Sequence, residues 1–151
     1  MFDTVLVAGL GLMGGSMAKT IKARTLSRVL GWNRTRATAE QALADGAIDA
    51  IATDALFREV DLVIIGLYPQ ATVDWLLENM PKMKKGCVIV DMVGVKQFMV
   101  GHLEQAALDA GVHYVGGHPM AGREFSGLDY ALPTLFDGAS MIFVPTKSST
   151  E

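Results

Sequence analysis

The sequence predicts an α/β fold in which a doubly wound, mostly parallel sheet lies between two layers of helices, in three-layer α/β/α order. Short apolar runs without helical periodicity, typical of strands buried on both faces, alternate with segments whose apolar residues recur at helical spacing. The first apolar run ends in a glycine-rich turn that leads into a helix, as in a doubly wound unit. The expected strands are residues 5–8, 28–32, 61–67, 86–92, 112–115 and 139–145, and the main expected helices are residues 16–24, 35–45, 69–80 and 96–110.

Size and composition limit the possible functions. The chain has 151 residues, half of them hydrophobic and 19% charged, which predicts one globular domain over residues 1–151. A net charge of −3 and the lack of a basic stretch argue against nucleic acid and favour a small-molecule substrate. The sequence shows neither a signal peptide nor an apolar run of ~18 residues, so we expect a cytoplasmic protein without a membrane segment. The single cysteine, Cys87, lies in an apolar run and is expected to be a buried strand thiol. We assign no metal ligands.

The turn after the first strand carries the most specific local motif. Gly9, Gly11 and Gly14 fit the pattern G-x-G-x-x-G, with Leu12 and Met13 between the second and third glycines. The first glycine allows the tight turn, the second lets the backbone approach a pyrophosphate, and the third lets the helix pack on the strand. The free N–H groups at the start of the helix would point at a phosphate. A plain tight turn is the alternative, but the strand before and the helix after favour a Rossmann-like dinucleotide site.

The end of the second strand bears on the cofactor. In a Rossmann unit an acid at this point binds the ribose 2′-hydroxyl of NAD, whereas a nearby arginine accommodates the 2′-phosphate of NADP. Here the residues are Asn33, Arg34, Thr35 and Arg36. The asparagine can bind a hydroxyl, but the two arginines suit a phosphate better, and the threonine is expected to cap the next helix. We therefore favour NADP over NAD, with two solvated charges at a helix start as the alternative interpretation.

Two further strand ends supply candidate site residues. Leu67, Tyr68 and Pro69 follow the strand at residues 61–67 and are candidate cofactor neighbours, although an ordinary strand-to-helix loop is an equal alternative. His118 is expected just past the strand at residues 112–115, in a glycine-flanked loop at the ligand edge. A reference pKa of about 6.5 lets histidine accept a proton near neutral pH. The spacing leaves a catalytic base and a backbone-bonded loop histidine as alternatives.

Two motifs together resemble a known family. The segments GLGLMGGS and GHPMAGRE resemble those of the prephenate and arogenate dehydrogenases of tyrosine biosynthesis, and the resemblance covers essentially the whole chain. GLGLMG followed by NRT is also similar to 3-hydroxyisobutyrate and related β-hydroxyacid dehydrogenases, but those lack a GHPMAG-type segment at this point.

The resemblance implies an NAD(P)-dependent oxidative decarboxylation of prephenate to 4-hydroxyphenylpyruvate, or of arogenate to tyrosine. His118 matches the family's histidine, which takes the proton of the substrate's 4-hydroxyl while hydride leaves for the nicotinamide. Lys96 matches a lysine in the family's D-x-G-S-x-K-like segment near the substrate and cofactor, and Glu124 matches the acid that follows HPMAG. The alternatives for these two residues are a cation at a helix start and a loop carboxylate.

The sequence departs from the family pattern in two ways. Val93 and Gly94 stand where many relatives carry Gly-Ser, so the serine hydroxyl that could bind the substrate's 4-hydroxyl is missing. Family members also continue into a mainly helical domain that forms a homodimer and supplies substrate-binding residues, whereas this sequence stops at residue 151. We therefore expect a fragment that binds dinucleotide but is incomplete for turnover, and a non-catalytic dinucleotide-binding module is the alternative of a different class. The choice between prephenate and arogenate stays open.

Overall fold

A seven-stranded sheet forms the centre of the protein. The computed structural model describes residues 1–150, and its strands lie in the order β3-β2-β1-β4-β5-β6-β7. The first six strands pair in parallel and β7 is antiparallel to β6. This confirms the predicted doubly wound, mostly parallel sheet. The strands are β1 Thr4–Ala8, β2 Arg28–Trp32, β3 Ala50–Ile51, β4 Leu62–Ile65, β5 Val88–Asp91, β6 His113–Pro119 and β7 Met141–Pro145.

Four helices connect the strands. They are α1 Leu12–Arg24, α2 Arg36–Ala44, α3 Pro69–Asn79 and α4 Lys96–Ala110, and short 3-10 turns occur at Asp54–Glu59, Met80–Lys82 and Leu128–Tyr130. Helix α1 begins directly after Gly11, about one turn earlier than residue 16, where the sequence predicted its start. Pro69 occupies the first turn of α3, where its missing N–H costs nothing. Among residues 1–150, no helix has both the length and the apolar character that a bilayer crossing requires.

Apolar side chains fill both faces of the sheet, because parallel strands here are covered by helices on either side. One cluster joins strand residues such as Ile65, Ile89 and Tyr114 to α3 and α4, and the other joins Val7 and Val29 to α1 and α2. Trp75 of α3 packs at an angle on Trp32, with ring centroids 5.5 Å apart. Cys87 is fully buried, and burial raises the pKa of its thiol to about 12, which confirms the expected inert thiol.

The helical layer on the α1 side is incomplete over β4, β5 and β6. An apolar cavity of about 470 Å³ opens there, lined by strand residues and by the loop before β7, including Ile64, Val90, Val115, Phe136 and Met141. This cavity is distinct from the ligand edge of the sheet, which lies at the carboxyl ends of the parallel strands.

The structure corrects the expected position of His118. The sequence predicted a strand ending at residue 115 and a loop histidine, but β6 continues to Pro119 and His118 lies within it. The strand is longer because β7 returns antiparallel and pairs with it, so that His118 stands opposite Ile142. The histidine is therefore held by a strand ladder, still close to the carboxyl end of β6.

Candidate functional site

The glycine turn after β1 is fixed by backbone hydrogen bonds at the ligand edge. Gly9 has a φ of +90°, and a β-carbon there would lie 2.6 Å from the carbonyl oxygen of Gly66. Its N–H donates to the Trp32 carbonyl at 2.8 Å, and the Gly66 N–H donates to the Ala8 carbonyl at 2.7 Å. Both the dihedral angle and the close approach therefore require glycine at position 9.

The other two glycines of the motif have opposite surroundings. A β-carbon on Gly14 would lie 1.6 Å from the Gly9 carbonyl oxygen, so α1 can sit against the turn only because this residue is glycine. A β-carbon on Gly11 would meet no described atom within 4 Å. The space above Gly11 adjoins the first turn of α1, where the N–H groups of Leu12 and Met13 lack helical partners and suit a phosphate. These surroundings fit a dinucleotide pyrophosphate.

Asn33 links the end of β2 to the glycine turn. Its side-chain Oδ1 accepts a hydrogen bond from the Leu10 N–H at 2.9 Å, and its Nδ2 donates to the Thr35 carbonyl at 3.1 Å. Thr35 is the N-cap residue of α2, as predicted, but its side chain makes no capping hydrogen bond to the described residues. The asparagine amide therefore holds the end of β2 against the glycine turn.

A groove of about 420 Å³ lies beside Gly11, and one of its walls was not foreseen from the sequence. The segment after β6 crosses α1: the Leu132 N–H donates to Ser16 Oγ at 3.0 Å, and Lys19 Nζ donates to the Ala131 carbonyl at 3.0 Å. This crossing brings Asp129 into the groove. The whole lining comprises Leu10, Gly11, Asn33, Ala37, Thr38, Gln41, Gly127, Leu128 and Asp129.

The two arginines predicted to bind a phosphate have different surroundings in the structure. Arg34 lies in a second cleft of about 260 Å³ together with Leu67, Asp74 and Glu78. Arg36 is largely exposed, and its Nε donates to Glu40 Oε1 at 3.2 Å along the same helix. Each arginine thus has carboxylates in its neighbourhood. Of the strand-end candidates, Leu67 joins Arg34 in this cleft, Tyr68 is 87% exposed, and Pro69 begins α3.

His118 and Gly94 face each other at the carboxyl ends of β6 and β5. A β-carbon on Gly94 would lie 3.4 Å from Cε1 and 3.7 Å from Nδ1 of the imidazole. The Nδ1 atom is buried and has no hydrogen-bond partner among residues 1–150. An imidazole with a buried nitrogen that lacks a protein partner, at the ligand edge of a sheet, is a candidate proton acceptor.

Lys96 forms a buried ion pair at the same end of the sheet. Its Nζ donates to Asp91 Oδ1, and the lysine side chain is 15% exposed while the aspartate is fully buried. The same carboxylate accepts the Val93 N–H at 2.8 Å and the Tyr114 hydroxyl at 2.6 Å. Burial, and then the hydrogen bond to Asp91, raise the pKa of Tyr114, so its hydroxyl remains a neutral donor. Sequence reasoning missed Asp91 and Tyr114, although an acid ending a buried strand five residues before the lysine was a usable signal.

The remaining candidates lie apart from this cluster. Glu124 is exposed in the loop after β6, and its role stays a prediction. His113 Nδ1 lies 2.6 Å from the Ser148 carbonyl at the opposite end of β6, and His102 Nδ1 lies 2.8 Å from the Phe98 carbonyl on α4. Both of these histidines are bound to backbone carbonyl groups.

Sequence comparison finds relatives along almost the whole chain. The family described as "Prephenate dehydrogenase, nucleotide-binding domain" matches residues 17–151. The chain is 36% identical over 153 aligned residues to the prephenate dehydrogenase of Bacillus subtilis (strain 168), an alignment that covers 99% of this chain and 41% of that protein. The chain spans between 41% and 50% of the length of the curated relatives that it matches.

Solved structures agree with the sequence comparison. A prephenate dehydrogenase from A. aeolicus, crystallised with hydroxyphenyl propionate and NAD+, superimposes with a TM-score of 0.87 at 27% identity, over 99% of this chain and 52% of that one. The arogenate dehydrogenase of Synechocystis superimposes with a TM-score of 0.85 at 26% identity, over 97% of this chain and 51% of that one.

Proposed function

Because the chain belongs to the prephenate dehydrogenase nucleotide-binding domain family, we propose that it is the cofactor-binding part of an NAD(P)-dependent dehydrogenase that oxidatively decarboxylates prephenate or arogenate. One observation carries the proposal: the glycine turn with the start of α1, and the unpartnered imidazole of His118, lie at the same edge of one sheet. A dinucleotide and a general base can therefore meet a single substrate there.

The residues have separate tasks in the proposed reaction. Gly11, Leu12 and Met13 bind the pyrophosphate through backbone N–H groups. The bound dinucleotide supplies the hydride acceptor. His118 accepts the proton of the substrate's 4-hydroxyl, which raises electron density at the ring carbon that loses hydride, and carbon dioxide leaves as the ring becomes aromatic. Lys96 and Glu124 are proposed to line the substrate side of the site.

The cofactor that we propose is NADP, with NAD as the alternative. Arg34 and Arg36 support NADP, since a guanidinium group binds a phosphate through a fork of donors. Asp129 in the groove and the pairing of Arg36 with Glu40 favour NAD. Calorimetric titration of the 151-residue chain with each dinucleotide tests the choice: tighter binding of NAD would overturn NADP, and binding of neither would contradict a preformed site.

The catalytic part of the proposal needs a turnover assay. We propose that the longer form found in relatives is a cytoplasmic homodimer, so the assay uses a chimera that adds the second part of the Bacillus subtilis relative. Reduction of the dinucleotide is followed by absorbance with prephenate and with arogenate. His118→Asn should lower kcat about 100-fold or more without changing dinucleotide affinity. The matched control is His102→Asn on the exposed side of α4; undiminished turnover in the His118 variant would rule out the base.

A further inference from the structure

We propose that Asp91 is a positioning residue of this site, whose buried carboxylate balances the charge of Lys96 so that His118 can hold a proton beside it. The inference rests on the proposed function, in which His118 becomes an imidazolium when it accepts the hydroxyl proton. Asp91 acts through Lys96, which is proposed to line the substrate side, and through the turn that follows β5.

The first step is the placement of three residues on one face of β6. Side chains alternate along a strand, so Tyr114, Gly116 and His118 point to the same side of the sheet. Tyr114 is fully buried in the cluster that includes α4, which identifies this side. Asp91 stands opposite Gly116 in the β5–β6 register, and its carboxylate reaches the Tyr114 hydroxyl at 2.6 Å.

The second step concerns the lysine, which crosses the same face. Lys96 Cδ lies 2.9 Å from the point where a β-carbon on Gly116 would stand, so the lysine side chain occupies the place left free by this glycine. Same-face residues on a strand are separated by roughly 7 Å. The Lys96 side chain therefore crosses the face of β6 at Gly116, one same-face position before His118, in a largely buried setting where charges are weakly screened.

The third step is that Asp91 also fixes the turn against which the imidazole rests. The same Oδ1 that accepts from Lys96 accepts the Val93 N–H at 2.8 Å. That bond orders the turn carrying Gly94, whose α-carbon faces the His118 ring. One buried carboxylate thus holds both the Lys96 ammonium and the turn that faces the proposed base.

The other charged groups near β6 are placed differently. Strand β7, with the sequence MIFVP, contributes no ionisable side chain. In the loop after β6, Arg123 donates to the Tyr130 carbonyl at 2.6 Å and Glu124 is exposed. His113 lies at the opposite end of β6. Within the described part of the chain, the ionisable groups that cluster on the His118 face of β6 are Asp91, Lys96 and Tyr114.

A charge-balance role makes a specific prediction for the ionisation of His118. Asp91→Asn leaves the Lys96 ammonium unbalanced, and a nearby like charge disfavours an imidazolium, so the acid dissociation constant of His118 should rise about tenfold. Lys96→Met leaves the carboxylate unbalanced and should lower that constant by a similar factor. The double variant Asp91→Asn/Lys96→Met removes both charges and should return the constant to within about threefold of the original.

The measurement is an NMR titration of the imidazole signals in the 151-residue chain. The chain has three histidines, so His102→Asn and His118→Asn are enough to assign the signals. Thr146→Val is the matched control, because Thr146 Oγ1 donates to the Tyr114 carbonyl at 2.6 Å and its loss removes a buried hydroxyl beside the same tyrosine without touching Asp91. This variant should leave the His118 titration unchanged.

The outcomes separate this inference from the proposed function. The inference is overturned if the His118 dissociation constants of the original chain and of Lys96→Met agree within twofold. This comparison remains possible if Asp91→Asn does not fold. The titration needs no turnover. If the His118 constant changes as expected but the chimera is inactive, the proposed dehydrogenase function is contradicted and the charge-balance role of Asp91 stands. If the chimera is active but the constant does not change, only the charge-balance role is contradicted.

Discussion

Gly94 faces the imidazole of His118: a β-carbon on this glycine would stand 3.4 Å from Cε1 and 3.7 Å from Nδ1 of the ring. These are ordinary contact distances, and Gly94 is not among the glycines with positive φ, so the position can accept a small side chain. The neighbouring Nδ1 is buried without a hydrogen-bond partner among residues 1–150. A hydroxyl introduced at Gly94 would therefore reach the base directly.

Gly94→Ser should give Nδ1 of His118 a hydrogen-bond partner while changing the free energy of unfolding by less than about 1 kcal/mol. We expect the ¹⁵N shifts of the two ring nitrogens to move, because a hydrogen bond at one nitrogen biases the tautomer. Gly94→Ala adds the β-carbon alone and is the matched control, and its tautomer balance should stay unchanged. Equal spectra for the serine and alanine variants would show that the hydroxyl does not reach the ring.

The second and third glycines of the motif should respond in opposite ways to alanine. Gly14→Ala places a β-carbon on the Gly9 carbonyl oxygen and should cost more than about 3 kcal/mol of unfolding free energy, or prevent folding. Gly11→Ala meets no described atom, so it should leave stability nearly unchanged and weaken dinucleotide binding about tenfold or more by obstructing the pyrophosphate. Urea unfolding and calorimetry measure the two effects. Unchanged dinucleotide affinity in Gly11→Ala would mean that the pyrophosphate does not bind beside Gly11.

Cofactor preference should depend on two charges, Arg34 in the second cleft and Asp129 in the groove beside Gly11. Arg34→Gln should weaken NADP about tenfold relative to NAD, because one charge-assisted phosphate contact is lost. Asp129→Asn should strengthen NADP several-fold, because the carboxylate that repels a 2′-phosphate is removed. Arg58→Gln, in the 3-10 turn Asp54–Glu59, is the control for net charge. If each variant changes the affinities for NADP and for NAD by the same factor, neither residue contacts the 2′ position of the ribose.

Asp61 binds the start of β1, and its ionisation should make the free energy of unfolding depend on pH. Its Oδ2 accepts the N–H groups of Asp3 and Thr4, each at 2.9 Å, and its Oδ1 pairs with Lys84. The hydrogen bond from Lys84, followed by those from the backbone, lowers the pKa of Asp61 in the folded protein. The stabilisation is therefore complete above the unfolded pKa of about 3.9 and is lost as the pH falls through the lower folded value.

Asp61→Asn should thus cost about 1 kcal/mol at pH 7, and the cost should shrink at pH 3 and below. Urea unfolding at both pH values is the measurement, with the exposed Asp45→Asn as the control. A cost that is the same at the two pH values would mean that the ionised carboxylate is not responsible.

Local patterns were sufficient for most of the fold. The apolar runs and the glycines at positions 9, 11 and 14 correctly predicted β1, α1 and the parallel sheet, because strand periodicity and positive φ are properties of neighbouring residues. Boundaries that depend on distant partners were less accurate. β6 extends through His118 because β7 pairs with it, and no residue near His118 indicates that pairing.

The groups available to a site are readable from the linear sequence: a glycine turn suited to a phosphate, one histidine at a strand end, and one lysine at a helix start. Their combination depends on the packing of distant segments. Asp129 enters the groove beside Gly11 where the Leu132 N–H bonds to Ser16, 116 positions away, and the carboxylate of Asp91 holds both Lys96 and Tyr114. Hydrogen bonds and charge balance act through space, so their partners are fixed by packing rather than by position along the chain.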